Sequence, residues 1–155
     1  MSRNADTPSR FETITTYLSW DHDRLDTQLE QVDRDVQAGR LDQACTGHRL
    51  FQTGLERHMR IEEDLLFPLF EARSGIGGGP TNVMRDEHRQ IRRAVVTMAE
   101  GLEAGDSRRF GEGLSFLNSV LPEHNAKEQH ILYPTTDRLL SAAERAAVTA
   151  RLIRE

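Results

Sequence analysis

The sequence has one cysteine, few aromatics and no long apolar run, and each shortage narrows the reading. Cys45 has no second thiol for an intramolecular disulfide, which suits a reducing compartment and makes the cytoplasm the expected location. No stretch approaches the ~20 apolar residues that a membrane-spanning helix needs. The opening MSRNADTPSR is too polar for a signal peptide and is expected to be disordered over 1–10. No block of Lys or Arg makes a basic patch, and a net charge of −5 gives nucleic acid no foothold. No segment alternates at period two, so strands are not expected. What is present is charge, at 29% against 37% hydrophobic residues, the balance of a bundle of amphipathic helices. A chain of 155 residues is most simply one domain, here 11–155, with a core of useful size.

Helical spacing runs through that domain. A first helix over about 11–38 carries the stripe Phe11, Ile14, Leu18, His22, Leu25, Leu29, Val32, Val36, and stops at Ala38-Gly39. A second, about 42–72, carries Phe51, Leu55, His58, Glu62, Leu65 or Leu66, and Leu69, with Asp42 placed to cap its start. RSGIGGGP (73–80) joins it to a third helix over about 82–104, with Met84, His88, Ile91, Val95, Met98 and Leu102 on one face. Ala104-Gly105 ends that helix as Ala38-Gly39 ends the first. The fourth, about 107–137, carries Phe110, Leu114, Leu117, Leu121, His124, Glu128 and Ile131. Ser141-Ala-Ala-Glu144 has the spacing of a capping box and opens a C-terminal helix over 141–154. Pro68 and Pro134 should kink or end their helices, and Pro122 should bend the fourth near a freed carbonyl at about 118. The pattern predicts an all-α protein, an antiparallel up-down four-helix bundle plus a short C-terminal helix.

The chain also repeats itself. A shift of 66 residues lays repeat one (11–72) on repeat two (81–137), with His22 on His88, His58 on His124, Glu62 on Glu128 and Pro68 on Pro134. HMRIEEDLLFP (58–68) falls on HNAKEQHILYP (124–134). Only nine of the 55 aligned positions in 17–71 are identical. Duplication alone does not explain why these ligand-type residues are among them.

All six sit where the stripe asks for an apolar side chain. A step of four residues turns ~40° and rises ~6 Å, so His58 and Glu62 share a face, as do His124 and Glu128. Two carboxylates buried without partners would cost several kcal/mol each or be forced to protonate. Metal ions remove that cost, and two His with one carboxylate per repeat is a donor set suited to non-haem iron with open positions. The arrangement expected is His22 and His58 on one ion, His88 and His124 on the other, and Glu62 and Glu128 bridging. Room is left for an oxo or hydroxo bridge and one exchangeable place. The Glu-x-x-His pattern of ferritin-like sites and the H-E-x-x-H of zinc proteases are both missing. One structural zinc ion, normally four-coordinate, would leave donors idle.

With these residues, over about 17–137, the chain resembles the hemerythrin-like (HHE cation-binding) proteins of bacterial type, including the LLFP and ILYP segments after each glutamate. The resemblance implies a four-helix bundle around a non-haem di-iron centre that binds O2, NO or H2O2, or responds to iron. Two positions depart from the invertebrate oxygen carriers. Arg92 stands where they have a further His, and Glu128 follows His124 at four residues where they have Asp at five. The resemblance therefore implies two Fe ions, with Zn or Mn as substitutes, and O2 or NO held for storage, delivery or sensing. A di-iron catalase or peroxidase, an NO-processing oxidoreductase and an iron sensor or donor are the alternatives. No nucleic-acid or membrane partner is expected.

Other candidates read as structure. His48, ~15 Å along the helix from His58, is expected at the rim, and His130 is expected to point away from the site. Tyr17, Trp20 and Tyr133 read first as packing residues and second as donors or gates. Cys45 reads as inert. Leu18, Leu25, Leu55, Met84, Ile91 and Leu121 read as core that would also wall the site from water.

Overall fold

The computed structural model describes residues 11–155, so the expectation of disorder over 1–10 lies outside the described residues. Among the described residues seven α-helical segments follow one another: α1 (Ile14–Gln37), α2 (Leu41–Ile61), α3 (Phe67–Ser74), α4 (Pro80–Glu103), α5 (Ser107–Lys127), α6 (Tyr133–Arg138) and α7 (Ala142–Arg154). Two π-helical turns, Glu62–Leu66 and Glu128–Leu132, join α2 to α3 and α5 to α6 without a break. The result is four long antiparallel rods paired as α1 with α2 and α4 with α5, with α7 laid against α1.

The turns form where the sequence places them, and for the expected reason. Gly39 and Gly105 take positive φ (75° and 65°) just after Ala38 and Ala104. The next N–H then reaches back to close the helix, Arg40 to the Asp35 carbonyl at 2.8 Å and Asp106 to that of Gly101 at 2.7 Å. Asp42 is not the cap of α2. The closed turn restarts the chain so early that Arg40 takes the N-cap without a side-chain hydrogen bond, and Asp42 falls in the first turn. There its charge still favours the helix dipole. α4 begins at Pro80, two residues before the expected start, because proline suits the first turn of a helix. The Ser141–Glu144 capping box is present as expected. The start of α1 has an unforeseen cap: Ile14 and Thr15 donate their N–H groups to the buried Asp137 carboxylate, both at 3.0 Å.

The prolines do not end their helices. Pro68 and Pro134 lack the N–H that an α-helix would direct to residues 64 and 130, and the ring would clash there. The chain widens instead: Phe67 donates to the Glu62 carbonyl and Tyr133 to that of Glu128, each spanning five residues. Pro122 lies exposed inside an uninterrupted α5.

The core is split. One apolar cluster, with Leu25, Phe51, Ile91, Met98, Phe110 and Leu121, fills the end nearest the α1–α2 and α4–α5 turns. Another, with Ile14, Leu18, Leu66, Phe67, Met84 and Leu152, fills the opposite end under α7. His48, expected at the rim, is buried at 2% exposure beside Phe51, and its Nε2 faces the Val95 carbonyl at 3.1 Å. Its helix turns it onto the core stripe, seven residues before Leu55.

α4 and α5 touch backbone to backbone at Gly113. A Cβ there would lie 2.9 Å from the Ala94 carbonyl oxygen and from the Met98 nitrogen. Gly113→Ala should therefore push the helices apart and cost about 1–3 kcal/mol. A lowered denaturant midpoint measures that loss, and an unchanged midpoint would contradict the close contact.

Candidate metal centre

Between the two apolar clusters lies a layer of buried polar residues, the candidate site. His22 follows Leu18 of one cluster and precedes Leu25 of the other, and Met84, His88 and Ile91 repeat that order. All six predicted residues are at most 3% exposed. The structure brings them together as two facing pairs of imidazoles: His22 with His58 (ring centroids 4.6 Å apart) and His88 with His124 (4.9 Å).

The carboxylates lie between the pairs. Glu62 Oε1 is 3.4 Å from His58 Nε2 and 3.3 Å from His88 Nε2. Glu128 Oε1 is 3.3 Å from His22 Nε2 and 3.1 Å from His124 Nε2. Each carboxylate thus addresses one ring of each pair. Two groups of donor atoms gather within 4.8 Å: Glu62, His88, His124 and Glu128, and His22, His58 and Glu128.

The opposite ring nitrogens are held from outside. His58 Nδ1 donates to Asp21 Oδ2 at 2.8 Å, His22 Nδ1 to Gln129 Oε1 at 2.9 Å and His124 Nδ1 to Glu87 Oε1 at 3.2 Å. His88 Nδ1 faces Glu63 Oε2 at 3.7 Å, and its ring stacks on Phe67. On His22, His58 and His124 a carboxylate or amide oxygen accepts the Nδ1 proton, which leaves Nε2 the inward lone pair in the neutral ring. None of these four supports was predicted. Asp21 and Glu87 each precede a predicted His by one residue, and the same shift of 66 pairs them.

Arg92 does not face the pairs. It reaches Glu56 at 2.9 Å and also binds Glu63, so this arginine holds the carboxylate that stands beside His88. Tyr17 accepts from Arg57 at 3.1 Å, and Trp20 packs on Tyr17 at the surface, so neither reaches the site. His130 is exposed, as expected. Tyr133 overturns its packing assignment: its hydroxyl donates to Glu62 Oε2 at 2.6 Å and lies 3.2 Å from His22 Nε2.

Without cations the site stores protons. Burial disfavours charge on His58, but the adjoining Glu62 carboxylate and the hydrogen bond to Asp21 outweigh it and raise its pKa to about 10. Burial opposes charge on His88 too, and the adjoining Glu62 and Glu63 carboxylates raise its pKa to about 9. Burial would push Glu62 up, yet the His58 charge and its hydrogen-bonding neighbours hold it well below the usual carboxylate range. Burial and the charges of Glu128 and Glu62 push the Tyr133 hydroxyl well above its ordinary value.

The donor set fits metal ions. Glu62 Oε1, both Glu128 oxygens and His88 Nε2 are buried without a hydrogen-bond partner. Such orphans cost about 1–3 kcal/mol each unless something satisfies them. A cavity of about 10 Å³ adjoins Glu62, His22, His58 and His124, walled by Leu25, Leu55, Met59, Ile91 and Leu121. That is room for about one water-sized molecule. A groove of about 950 Å³ lies along α2 beside Arg151 and Glu155 and touches none of the six residues. Among the described residues no helix is long and apolar enough to cross a membrane.

No curated protein and no solved structure matches the chain significantly. The profile of the hemerythrin HHE cation-binding domain does match, over residues 13–136, and those residues contain both histidine pairs and both glutamates. The chain therefore belongs to the hemerythrin HHE cation-binding domain family.

Proposed function

We propose that the chain is a non-haem di-iron protein that takes up O2 or NO at an open iron position, for storage, delivery or sensing. His22 and His58 would hold one ion and His88 and His124 the other, with Glu62 and Glu128 between them. The observation that carries this is the pair of carboxylate oxygens, each 3.1–3.4 Å from one Nε2 of either histidine pair. Imidazole and carboxylate suit iron, and zinc or manganese can occupy the same donors. Iron bound here would supply redox chemistry and an exchangeable place. The protein's own part is to fix the donors through Asp21, Gln129 and Glu87, and to limit access. A cavity with room for about one water-sized molecule leaves no space for an organic substrate.

Peroxide or NO turnover is the second reading, favoured by Arg92. With its guanidinium on Glu56 and Glu63, the position adds no imidazole, and the ion at His88 and His124 stays less saturated. Loss of metal that loosens the bundle, as in an iron sensor or donor, is the third. Admitting air to the ferrous protein separates them. A stable spectral change reversed by evacuation supports carriage. Rapid irreversible oxidation, with O2 evolved from added peroxide and lost in His124→Ala, supports turnover. A preparation grown with iron that holds no transition metal would defeat every version.

A further inference from the structure

The two halves match in all six inward donors, but they differ at one oxygen. The 66-residue shift that pairs the glutamates also pairs Tyr133 with Phe67, and each follows its π turn directly. Phe67 stacks on His88 with ring centroids 5.5 Å apart and offers no heteroatom. Tyr133 places its hydroxyl 2.6 Å from Glu62 Oε2, 3.2 Å from His22 Nε2 and 3.3 Å from His58 Nε2.

The single phenolic proton goes to Glu62 Oε2, so the two ring nitrogens can hydrogen-bond the phenol oxygen only as N–H donors, a state that ends when an ion takes their lone pairs. Donor spacing then accounts for the approach. Metal–nitrogen and metal–oxygen bonds of ~2.1 Å put neighbouring donors about 3.0 Å apart at right angles and about 3.4 Å apart at tetrahedral angles. The distances from Tyr133 to the two imidazole nitrogens fall in that range, beside the 3.1–3.4 Å separations of imidazoles and glutamates.

We propose that Tyr133 Oη is a further protein donor to the ion held by His22 and His58, which rests on the paired-ion reading above. That ion then has five protein donors and its partner at His88 and His124 has four, so the exchangeable place falls to the partner. On ferric binding the phenol O–H bond breaks as the O–Fe bond forms. The proton leaves to solvent and no electron is transferred. A hard anionic oxygen also favours iron over softer competitors.

The chain has two tyrosines, so the assignment has a single rival, Tyr17, whose hydroxyl is held by Arg57. Ferric protein with two irons per chain should show a visible phenolate-to-iron charge-transfer band and the matching tyrosinate modes in resonance Raman spectra. Both signals should vanish in Tyr133→Phe, with iron content near two, and persist in Tyr17→Phe. If Tyr133→Phe does not fold, the signals in Tyr17→Phe decide alone, because only Tyr133 remains. Two bound irons without a tyrosinate signature would leave the paired centre standing and reduce Tyr133 to a hydrogen-bond donor. Signals that survive Tyr133→Phe would also overturn the assignment, and a chain that takes up no iron would remove both it and the paired centre.

Discussion

Glu62→Ala and Glu128→Ala should each bring the metal content below two ions per chain, measured by elemental analysis of protein loaded with excess iron. Oε1 of each glutamate faces one ring of each pair, so on the proposed arrangement losing either would remove a donor from both ions at once. It also removes an anionic charge that offsets two neighbouring cations at short range, in an interior where charges are weakly screened. Disturbing an outer hydrogen bond to a metal ligand typically costs 10–100-fold in affinity, and loss of the ligand itself should exceed that. Glu62→Gln and Glu128→Gln keep the volume while removing the charge, and should behave alike. Retention of two tightly bound ions in the variants would leave the bridging roles without support.

Chelation should lower the melting temperature by on the order of 10 °C. A ligand at 1,000 times its Kd stabilises by about 4 kcal/mol, and each kcal/mol moves the midpoint by about 2–4 °C in a domain of this size. The difference should also widen with pH. In the metal-free protein the pKa of His58 is raised to about 10 and that of His88 to about 9, above the unfolded value of 6.5. Their protonated rings contribute stability that is fully present below 6.5 and is lost as pH rises towards 9 and 10, because the folded state binds the extra protons. Metal ions displace those same protons, so the loaded protein is spared that loss and binding tightens with pH. Melting curves of loaded and chelated protein from pH 6.5 to 10 test both parts. Parallel curves, or a metal-free form that gains stability with pH, would contradict the proton inventory.

The sequence by itself determined the helices, the twofold repeat and the six inward residues. A four-residue step keeps His58 over Glu62 and His124 over Glu128 in any α-helix, and an apolar stripe can face only the bundle axis. Tyr133 was hidden by the same rule, since five residues past Glu128 a regular helix has turned ~140° off that face. The π turn, which Pro134 favours by withholding its N–H, winds wider and returns the ring to the site. His48 shows that the hydrophobic stripe continued further than the residue type suggested. Only the tertiary structure decided which ring faces which carboxylate, that Asp21, Gln129 and Glu87 hold the Nδ1 protons, and that Asp137 caps a helix 122 residues earlier in the chain. Helical periodicity fixes the face on which a side chain emerges, whereas its partner across the bundle depends on the axial offset of packed helices.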